Sequence, residues 1–391
     1  MKKTYILGLM LLISFGSIGA VAFTPGLPQI AQYFNISAHT AELTVTLYLV
    51  GYAFGQLLYG PLTNHMGSRM TIIIGALLEM LGSGLCILSN SLHIYYVLLI
   101  GRAIMAIGAG SGLTLAFIIT SKLAEPDKAA RIISLLTISF AITPGIGVFI
   151  GGLLLDYFSW NSSFIFMFIY GILILIIGFI LPEVITIKDS KALNISVIIK
   201  NYILQLKTST IIFGGLLVGS GTCFIYTFAA LAPFIALSHM HMSPAQYGSY
   251  NFIPVAGMIC GSLLANHLGK TMNSTKMIKL GLTIATIGVI ALTLSMTFAN
   301  HLYLSLFLPM FIIYLGSIFI FGNSSALALS KSDDKSNASA MKSFINMGSA
   351  VVIVAILSLL NNENMLLLPL LYIAFLIVGI SCFKILLKKL R

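Results

Sequence analysis

The chain has 391 residues, of which 58% are hydrophobic and only 8% are charged, and its mean hydropathy is +1.04. Soluble domains use roughly 45–50% apolar and about 25% charged residues, so this composition excludes an ordinary soluble protein. The net charge of +11 fits contact with anionic lipid headgroups, and nothing in the sequence calls for nucleic acid. The composition therefore indicates an integral membrane protein.

The hydropathy pattern predicts twelve membrane-spanning helices, because a helix needs roughly 20 apolar residues to cross the hydrocarbon layer. They begin near Ile6, Ala41, Met70, Ile94, Ile132, Ser162, Thr210, Ala245, Met277, Leu302, Ser343 and Leu366. The first of them also resembles a secretory signal, with two lysines before an apolar run and Ala20-Val21-Ala22 near its end. We expect it to be retained, because its removal would place every later basic loop on the wrong side.

The basic residues predict the orientation of these helices. Of the 21 lysines and arginines, only Arg102 is predicted to lie inside a long apolar segment, and the other twenty lie on alternate links between segments. Loops rich in Lys and Arg stay in the cytoplasm. Because basic residues precede the first span and follow the twelfth, we predict a multi-pass protein of the cell inner (cytoplasmic) membrane with both termini cytoplasmic.

An internal repeat divides the chain into two halves. The segment 60–69 after the second span matches the segment 262–270 after the eighth, and both contain an Asn-His-x-Gly sequence. We predict an N-terminal six-helix bundle over residues 1–183, a cytoplasmic linker over 184–208 and a C-terminal six-helix bundle over 209–391. The linker mixes apolar residues with lysines, which fits either an amphipathic helix on the membrane surface or a disordered connection. Duplication of this kind is typical of transporters.

Several segments resemble those of a known family. They are Gly60–Arg69 after the second span, Pro25-Gly26-Leu27-Pro28 in the first, residues 52–62 in the second, Arg102 in the fourth, Pro144 with Gly151-Gly152 in the fifth, and Ala232-Pro233-Phe234 in the seventh. Together they resemble the major facilitator superfamily, and within it the drug:proton antiporter branch of the bicyclomycin-resistance (Bcr/CflA-like) multidrug efflux type. The resemblance implies an all-α membrane fold of two pseudo-symmetric six-helix bundles that work by alternating access.

Two positions depart from the pattern of that branch. Val21 stands where many members carry an acid in the first helix, and Asn64 stands where the loop motif usually has one. Valine cannot carry a proton, and asparagine can form hydrogen bonds but not ion pairs. We therefore expect a weaker latch at this loop and a proton-coupling site other than the first helix.

Glu79 and Arg102 are the candidates for that coupling site. A charge at the centre of a membrane costs about 2.5–3.5 kcal/mol on insertion scales and usually marks a pathway or a partner. The two residues are predicted at similar depth, and Glu79 shares its helix face with Gly75 and Gly82, which suits close helix packing. We hypothesise that they interact and that protonation of Glu79 couples transport. The alternative is a static structural pair or no contact. Glu42 and Asp156 are weaker proton candidates, both near the non-cytoplasmic ends of their helices.

The resemblance implies three further groups of functional residues. Those of the gating loop motif are Gly60, Asn64, Gly67 and Arg69. Those of the fifth-helix motif, which suits a sliding helix interface, are Pro144, Gly147, Gly151 and Gly152. Those in spans that line the substrate cavity of relatives are Phe23, Gln56, Tyr226, Tyr250, Asn251 and Asn323. For the fifth-helix motif the alternative is pure packing, and for the cavity residues it is a lipid-facing or core position.

These expectations favour a secondary transporter rather than an enzyme, because no phosphate-binding loop, zinc helix or nucleophile set is found. The expected activity is proton-coupled export of a small amphiphilic organic compound or drug, by a monomer that uses the proton gradient and no organic cofactor or metal. An exporter of an endogenous metabolite or siderophore, a proton-coupled nutrient importer and a transport-dead receptor stay open as alternatives.

Overall fold

The computed structural model describes residues 2–124, 126–185, 188–189, 192–269, 271–298, 302–329, 335–357 and 365–390. These residues form helices and short connections, and no β-strand occurs among them. Helices are expected here because hydrocarbon offers no partner for backbone N–H and C=O groups. In the described part, eleven helical segments are long and apolar enough to span a membrane, and Ile142–Tyr157 is a shorter apolar helix. The predicted all-α membrane fold is confirmed.

The first nine helices follow one another with a 3₁₀ turn at Thr24–Gly26 and a left-handed residue, Gly67, between the third and fourth. They are α1 (Lys3–Val21), α2 (Leu27–Tyr33), α3 (Ala38–Met66), α4 (Ser68–Leu92), α5 (Tyr95–Ala109), α6 (Ser111–Leu123), α7 (Pro126–Tyr157), α8 (Ser162–Ile180) and α9 (Ile195–Leu206). α5 and α6 together form the fourth span, and α9 lies in the predicted linker. Part of that linker is therefore helical.

Seven helices follow, with a π-helical segment at Phe234–His239. They are α10 (Ser209–Pro233), α11 (Pro244–Tyr250), α12 (Phe252–Leu268), α13 (Ser274–Phe298), α14 (Tyr303–Leu329), α15 (Lys335–Leu357) and α16 (Leu367–Leu390). By its contacts the chain forms two compact units, one of Met1–Ile36 with Leu43–Ile199 and the other of Ser37–Glu42 with Lys200–Arg391.

Glycines bring corresponding pairs of helices into backbone contact in the two units, α4 with α5 in the first and α13 with α14 in the second. In the first unit, a Cβ on Gly108 of α5 would meet the carbonyl oxygen of Gly75 of α4. In the second unit, a Cβ on Gly316 of α14 would meet the carbonyl oxygen of Gly281 of α13. Small residues allow such close approach between helices in a membrane, where packing rather than hydrophobicity drives association. The repeat seen in the loop sequences is thus also a repeat of helix packing.

Several basic residues assigned to links lie inside the ends of membrane-spanning helices instead, among them Arg69, Lys122, Lys276, Lys279 and Lys342. Lys342 was expected on the link before the eleventh span, but α15 begins earlier, at Lys335, and the apolar stretch Ala338–Leu357 includes Lys342. The helix extends past its apolar part because intrahelical hydrogen bonds continue through the polar residues that precede it. Arg102 is therefore not the only basic residue within a predicted span.

Candidate functional site

The guanidinium of Arg102 lies between two aromatic rings inside the first unit. Its Cζ is 3.9 Å from the ring centroid of Phe23, just after α1, and 4.1 Å from that of Tyr48 on α3. A third ring, Phe164 of α8, lies at 6.0 Å. The side chain is fully buried. Aromatic faces carry negative partial charge, so this cage stabilises a cation without any carboxylate.

Backbone carbonyls complete the surroundings of Arg102. Nε donates to the carbonyl of Thr44 at 3.2 Å, and Nη1 donates to the carbonyl of Gly19 at 2.8 Å and to Sδ of Met105 at 3.6 Å. Nη2 has no hydrogen-bond partner in the described structure. Tyr48 is itself fixed, because its hydroxyl donates to the carbonyl of Gly16 at 2.9 Å. Arg102 therefore ties α5 to α1 and α3.

Glu79 is fully buried on α4, but it does not pair directly with Arg102. Both of its carboxyl oxygens lack a hydrogen-bond partner in the described structure. The carboxyl group lies over Gly171 of α8, where a Cβ would contact Oε2. The charge of Arg102 still acts on Glu79 electrostatically across the core. The structure thus brings the two candidates into one region without an ion pair, and the proposed proton coupling stays a prediction.

The second unit shows what the same packing looks like without these charges. A Cβ on Gly108 would meet the backbone nitrogen of Glu79, and a Cβ on Gly316 would meet the backbone nitrogen of Ala285 in the same way. Ala285 is therefore the counterpart of Glu79 in the repeat, and it is fully buried. The helix packing accepts an alanine at this position, so it does not require an acid.

The counterpart of Arg102 is also uncharged. Arg102 lies six residues before Gly108 on α5, and Met310 lies six residues before Gly316 on α14. Met310 is fully buried. Burying a cation or a carboxylate costs far more than burying an apolar side chain. The first unit carries this cost at both positions while the second unit avoids it, which points to a use for the charges beyond packing.

The gating loop motif binds a carboxylate that the sequence analysis did not foresee. Gly67 has φ +97°, a left-handed conformation that favours glycine, and α4 begins directly after it. Oε1 of Glu183 accepts hydrogen bonds from the backbone N–H and the hydroxyl of Ser68, both at 2.8 Å. Oε2 accepts from the N–H of Arg69 at 3.1 Å. Glu183 therefore caps α4 from the segment that follows α8.

The surroundings of Glu183 set its pKa. Partial burial of the carboxyl raises the pKa, but hydrogen bonds from Ile185, Ser68 and Arg69 lower it by more, so the pKa of Glu183 lies below its usual value. The N–H groups of Ser68 and Arg69, at the start of α4, have no intrahelical acceptor and also carry the positive end of the helix dipole. The ionised form of Glu183 is thus the one that this cap favours.

The other motif residues of this loop have different surroundings. The backbone carbonyl of Asn64 accepts from the N–H of Asp189 at 3.0 Å, and Nη2 of Arg69 donates to the carbonyl of Leu181 at 3.5 Å. A Cβ on Gly60 would meet nothing within 4 Å. Glu183 is thus a carboxylate that contacts this loop, and the expectation of a weaker latch at Asn64 stays a prediction.

The fifth-helix motif packs against α1. A Cβ on Gly151 would collide with the carbonyl oxygen of Ala22, and one on Gly147 would contact Ile18 at 3.4 Å. Gly152 is buried, and α7 continues through Pro144 without an interruption. The smooth face expected from these glycines thus meets the end of α1, next to the residues that surround Arg102. A sliding role for this interface stays a prediction.

The residues expected in the substrate cavity lie in different surroundings. Phe23 and Tyr226 are buried, as is Gln56, whose amide nitrogen has no partner in the described structure. Tyr250 is half-buried and its ring centroid is 5.4 Å from that of Phe307. The amide groups of Asn251 and Asn323 donate to carbonyls one helical turn before them. The structure gives Phe23 a contact with Arg102, and the cavity role of the set stays a prediction.

The weaker proton candidates differ in exposure. Asp156 is exposed near the end of α7, and Glu42 is buried near the start of α3. Sequence reasoning missed Tyr48, Phe164 and Glu183. Only Glu183 had a usable signal, an acid directly after a span in Leu181-Pro182-Glu183.

Comparison with known proteins decides the family. The family model of the Major Facilitator Superfamily matches residues 7–357. The chain belongs to the major facilitator superfamily. Its fold agrees with that of a D-xylose-proton symporter, with a TM-score of 0.79 at 15% identity over 98% of this chain and 96% of that one. It is therefore a multi-pass membrane transporter with the major facilitator fold, and not an enzyme.

Sequence relatives in this superfamily include drug transporters. The multidrug transporter MdfA of Edwardsiella ictaluri is 27% identical over 73% of this chain and 69% of that protein. The bicyclomycin resistance protein homolog of Haemophilus influenzae is 22% identical over 72% and 70%. An uncharacterized transporter of Rickettsia felis is 28% identical over 75% and 74%. The resemblance to the drug:proton antiporter branch is thus confirmed at low identity.

Proposed function

We propose that this transporter exports a small amphiphilic organic compound in exchange for protons, by alternating access in the inner membrane with both termini cytoplasmic. It acts as a monomer and uses the proton gradient rather than a cofactor. The drug-transporter names of several relatives support export of this compound class. The positive-inside pattern supports the orientation.

The observation that carries the proton coupling is the difference between the two units at equivalent positions. Glu79 and Arg102 stand in the first unit where Ala285 and Met310 stand in the second. An ionised carboxylate without hydrogen bonds is costly to bury. A proton on the carboxyl of Glu79 relieves this cost, and the fixed charge of Arg102 favours release of that proton when the site opens to water. Glu79 is thus the proposed proton carrier, in place of the acid absent at Val21.

Arg102 supplies a permanent positive charge in this scheme. Its guanidinium is held by the rings of Phe23 and Tyr48 and by the carbonyl of Gly19, which belong to α1, α3 and the segment after α1. Movement of these elements during alternating access would change the distance between the cation and Glu79. Such a change couples the protonation of Glu79 to the conformation of the unit.

Substrate-dependent proton flux in proteoliposomes tests the proposal. The purified protein is reconstituted with an entrapped pH-sensitive dye and challenged with cationic, neutral and acidic amphiphiles. At least one class should drive proton movement in the parent. In Glu79→Gln this flux should be lost, while exchange of labelled for unlabelled substrate should persist, because exchange needs no net proton transfer.

Two controls make the outcome specific. Glu79→Ala introduces the residue that the second unit carries at the same position, so it should fold and should also lose the flux. Asp156→Asn tests the weaker, exposed proton candidate at the end of α7, and it should keep the flux if Glu79 is the proton carrier. Normal proton flux in both Glu79 variants would remove Glu79 from the mechanism. Absence of flux across all compound classes in the parent would favour a uniporter or a receptor.

A further inference from the structure

The second unit contains a lysine inside one of its membrane-spanning helices. Lys342 is the eighth residue of α15, so it lies about 10 Å along the helix at 1.5 Å per residue. It falls within the apolar stretch Ala338–Leu357, and its side chain is half-buried. Charged residues within membrane spans are costly and usually line a pathway or a cavity. The proton-coupling scheme above gives this cation no role.

The ammonium group of Lys342 has a neutral partner. Nζ donates to the hydroxyl of Ser325 on α14 at 3.1 Å. Among the described residues, no carboxylate lies within 4.0 Å of this ammonium. A hydroxyl group cannot neutralise a cation, and a buried or half-buried charge is stabilised best by an opposite charge. An anion is therefore the group that would complete this site.

Further hydrogen-bond donors lie on the same side of α15. Asn346 is one turn beyond Lys342, and its Oδ1 accepts from the hydroxyl of Thr222 on α10 at 2.7 Å. This bond uses the amide oxygen, and the amide nitrogen carries two N–H donors. An ammonium and an amide separated by one helical turn present donors only. Carboxylates are acceptors only, so they match this pattern.

Gly322 and Ser325 lie one helical turn apart on α14 and therefore share a face of that helix. A Cβ on Gly322 would meet nothing within 4 Å. Gly322 is also exposed. Lysine and serine that faced only hydrocarbon would lack polar partners, which is unfavourable at membrane depth. Water or the polar group of a ligand beside Lys342 and Ser325 would avoid this cost.

We propose that Lys342, with Asn346 and Ser325, binds the carboxylate of an acidic amphiphile that this protein transports. The proposal rests on the proposed export function and deepens it by naming the substrate class. The apolar body of such a compound would be held by the aromatic residues of the unit, while the ion pair with Lys342 would fix its orientation. A neutral analogue of the same size would lose the ion pair and keep the apolar contacts.

Binding of two matched fluorescent probes to the purified, full-length protein in neutral detergent tests this assignment. Dansyl-glycine carries a carboxylate, and dansyl-glycinamide has the same fluorophore with a neutral amide. The parent should bind dansyl-glycine about tenfold more tightly or better, as expected for one charge-assisted contact. Lys342→Met should abolish this preference and leave the affinity for dansyl-glycinamide unchanged. Lys342→Arg should restore most of it.

Lys279→Met is the matched control, because Lys279 is exposed on α13 and outside the proposed site. It should bind both probes as the parent does. Thermal unfolding in detergent checks that each variant is folded, and Lys342→Gln serves if Lys342→Met is not. Equal affinity of the parent for both probes, no binding of either, or equal loss of both in a folded Lys342 variant would overturn the proposal.

Lipid headgroups are the other source of an anion near this depth. The titration is repeated with phosphatidylglycerol or phosphatidylcholine added to the micelles. Insensitivity of dansyl-glycine binding to both lipids supports the substrate carboxylate. Displacement by phosphatidylglycerol alone would identify a headgroup phosphate as the occupant and overturn the assignment. These measurements involve no gradient, so a failure of proton-coupled export leaves their outcome unaffected and remains separately recognisable.

Discussion

Glu183→Ala should loosen the first turn of α4, although Glu183 is more than one hundred residues from that turn in the sequence. The carboxylate accepts hydrogen bonds from the backbone N–H groups of Ser68, Arg69 and Ile185 and from the hydroxyl of Ser68. Ser68 and Arg69 begin the helix and have no intrahelical acceptor. Their amides would therefore turn to water in the variant.

The magnitude follows from helix capping. Loss of a capping side chain costs about 0.5–2 kcal/mol, and loss of a negative charge near a helix N-terminus costs about 0.3–1 kcal/mol at an exposed site. Glu183 is exposed, so the lower half of the combined range is appropriate, about 1–2 kcal/mol. Because 1.4 kcal/mol is a factor of ten, amides in this turn should exchange with solvent about 5–30 times faster. Glu183→Gln keeps one acceptor oxygen and should show a smaller effect.

Hydrogen–deuterium exchange of peptides that cover residues 67–72 measures this change, with parent and variant compared at the same pH. Asp156→Asn is the control, since it neutralises an exposed acid on α7 and should leave these peptides unchanged. Equal exchange in the parent and in Glu183→Ala would show that the carboxylate does not hold the loop.

The lowered pKa of Glu183 fixes the direction of the pH effect. A carboxyl whose pKa is lower in the folded state contributes stability that is present above its unfolded pKa, about 4.3 for glutamate. That contribution is lost as the pH falls through the folded pKa. The exchange difference between the parent and Glu183→Gln should therefore be full at neutral pH and should shrink as the solution becomes more acidic than about pH 4. A difference that grows on acidification would contradict this reasoning.

Four further variants probe helix packing and the candidate site. Gly151→Leu should severely reduce the yield of folded protein in detergent, because the new side chain would collide with the backbone of Ala22. The Cβ of Gly60→Ala meets nothing within 4 Å, so this variant should unfold at the same temperature as the parent or slightly higher. A loss of transport in Gly60→Ala would therefore indicate a role in gating. Arg102→Lys should keep the charge but lose the planar stacking and transport much less, and normal activity would show that only charge matters. Tyr372→Phe should lower stability by about 0.5–1.5 kcal/mol, measured by thermal unfolding, because it removes a buried hydrogen bond to a backbone carbonyl of α10.

The two halves of the internal repeat correspond in their buried residues as well as in their loops. Sequence comparison matched the two loops that contain Asn64 and Asn266, but it could not say which buried residues correspond. The structure aligns Glu79 with Ala285, because a Cβ on Gly108 would meet the backbone nitrogen of Glu79 and a Cβ on Gly316 would meet that of Ala285. The protein thus contains its own uncharged reference for the charged site.

Some site residues were not predictable for physical reasons. The partners of Arg102 are aromatic rings and carbonyl groups, and a chain with 25 Phe and 16 Tyr gives no signal for which rings approach one guanidinium. Glu183 had a suggestive position after a span, but its contact with Ser68 depends on how two helix ends meet. Lys342 was assigned to a link because hydropathy places helix ends where apolar residues stop, whereas hydrogen bonding carries α15 further.

Length, hydropathy and the distribution of Lys and Arg determined the membrane class, the approximate positions of the helices and the twofold repeat, because lipid imposes the same length and polarity on every span. Only the tertiary structure decided that the cation at Arg102 is held by rings rather than by Glu79, and that Glu183 caps the start of α4. Those contacts join segments far apart in the chain, and a linear pattern records which groups are present but not which of them meet.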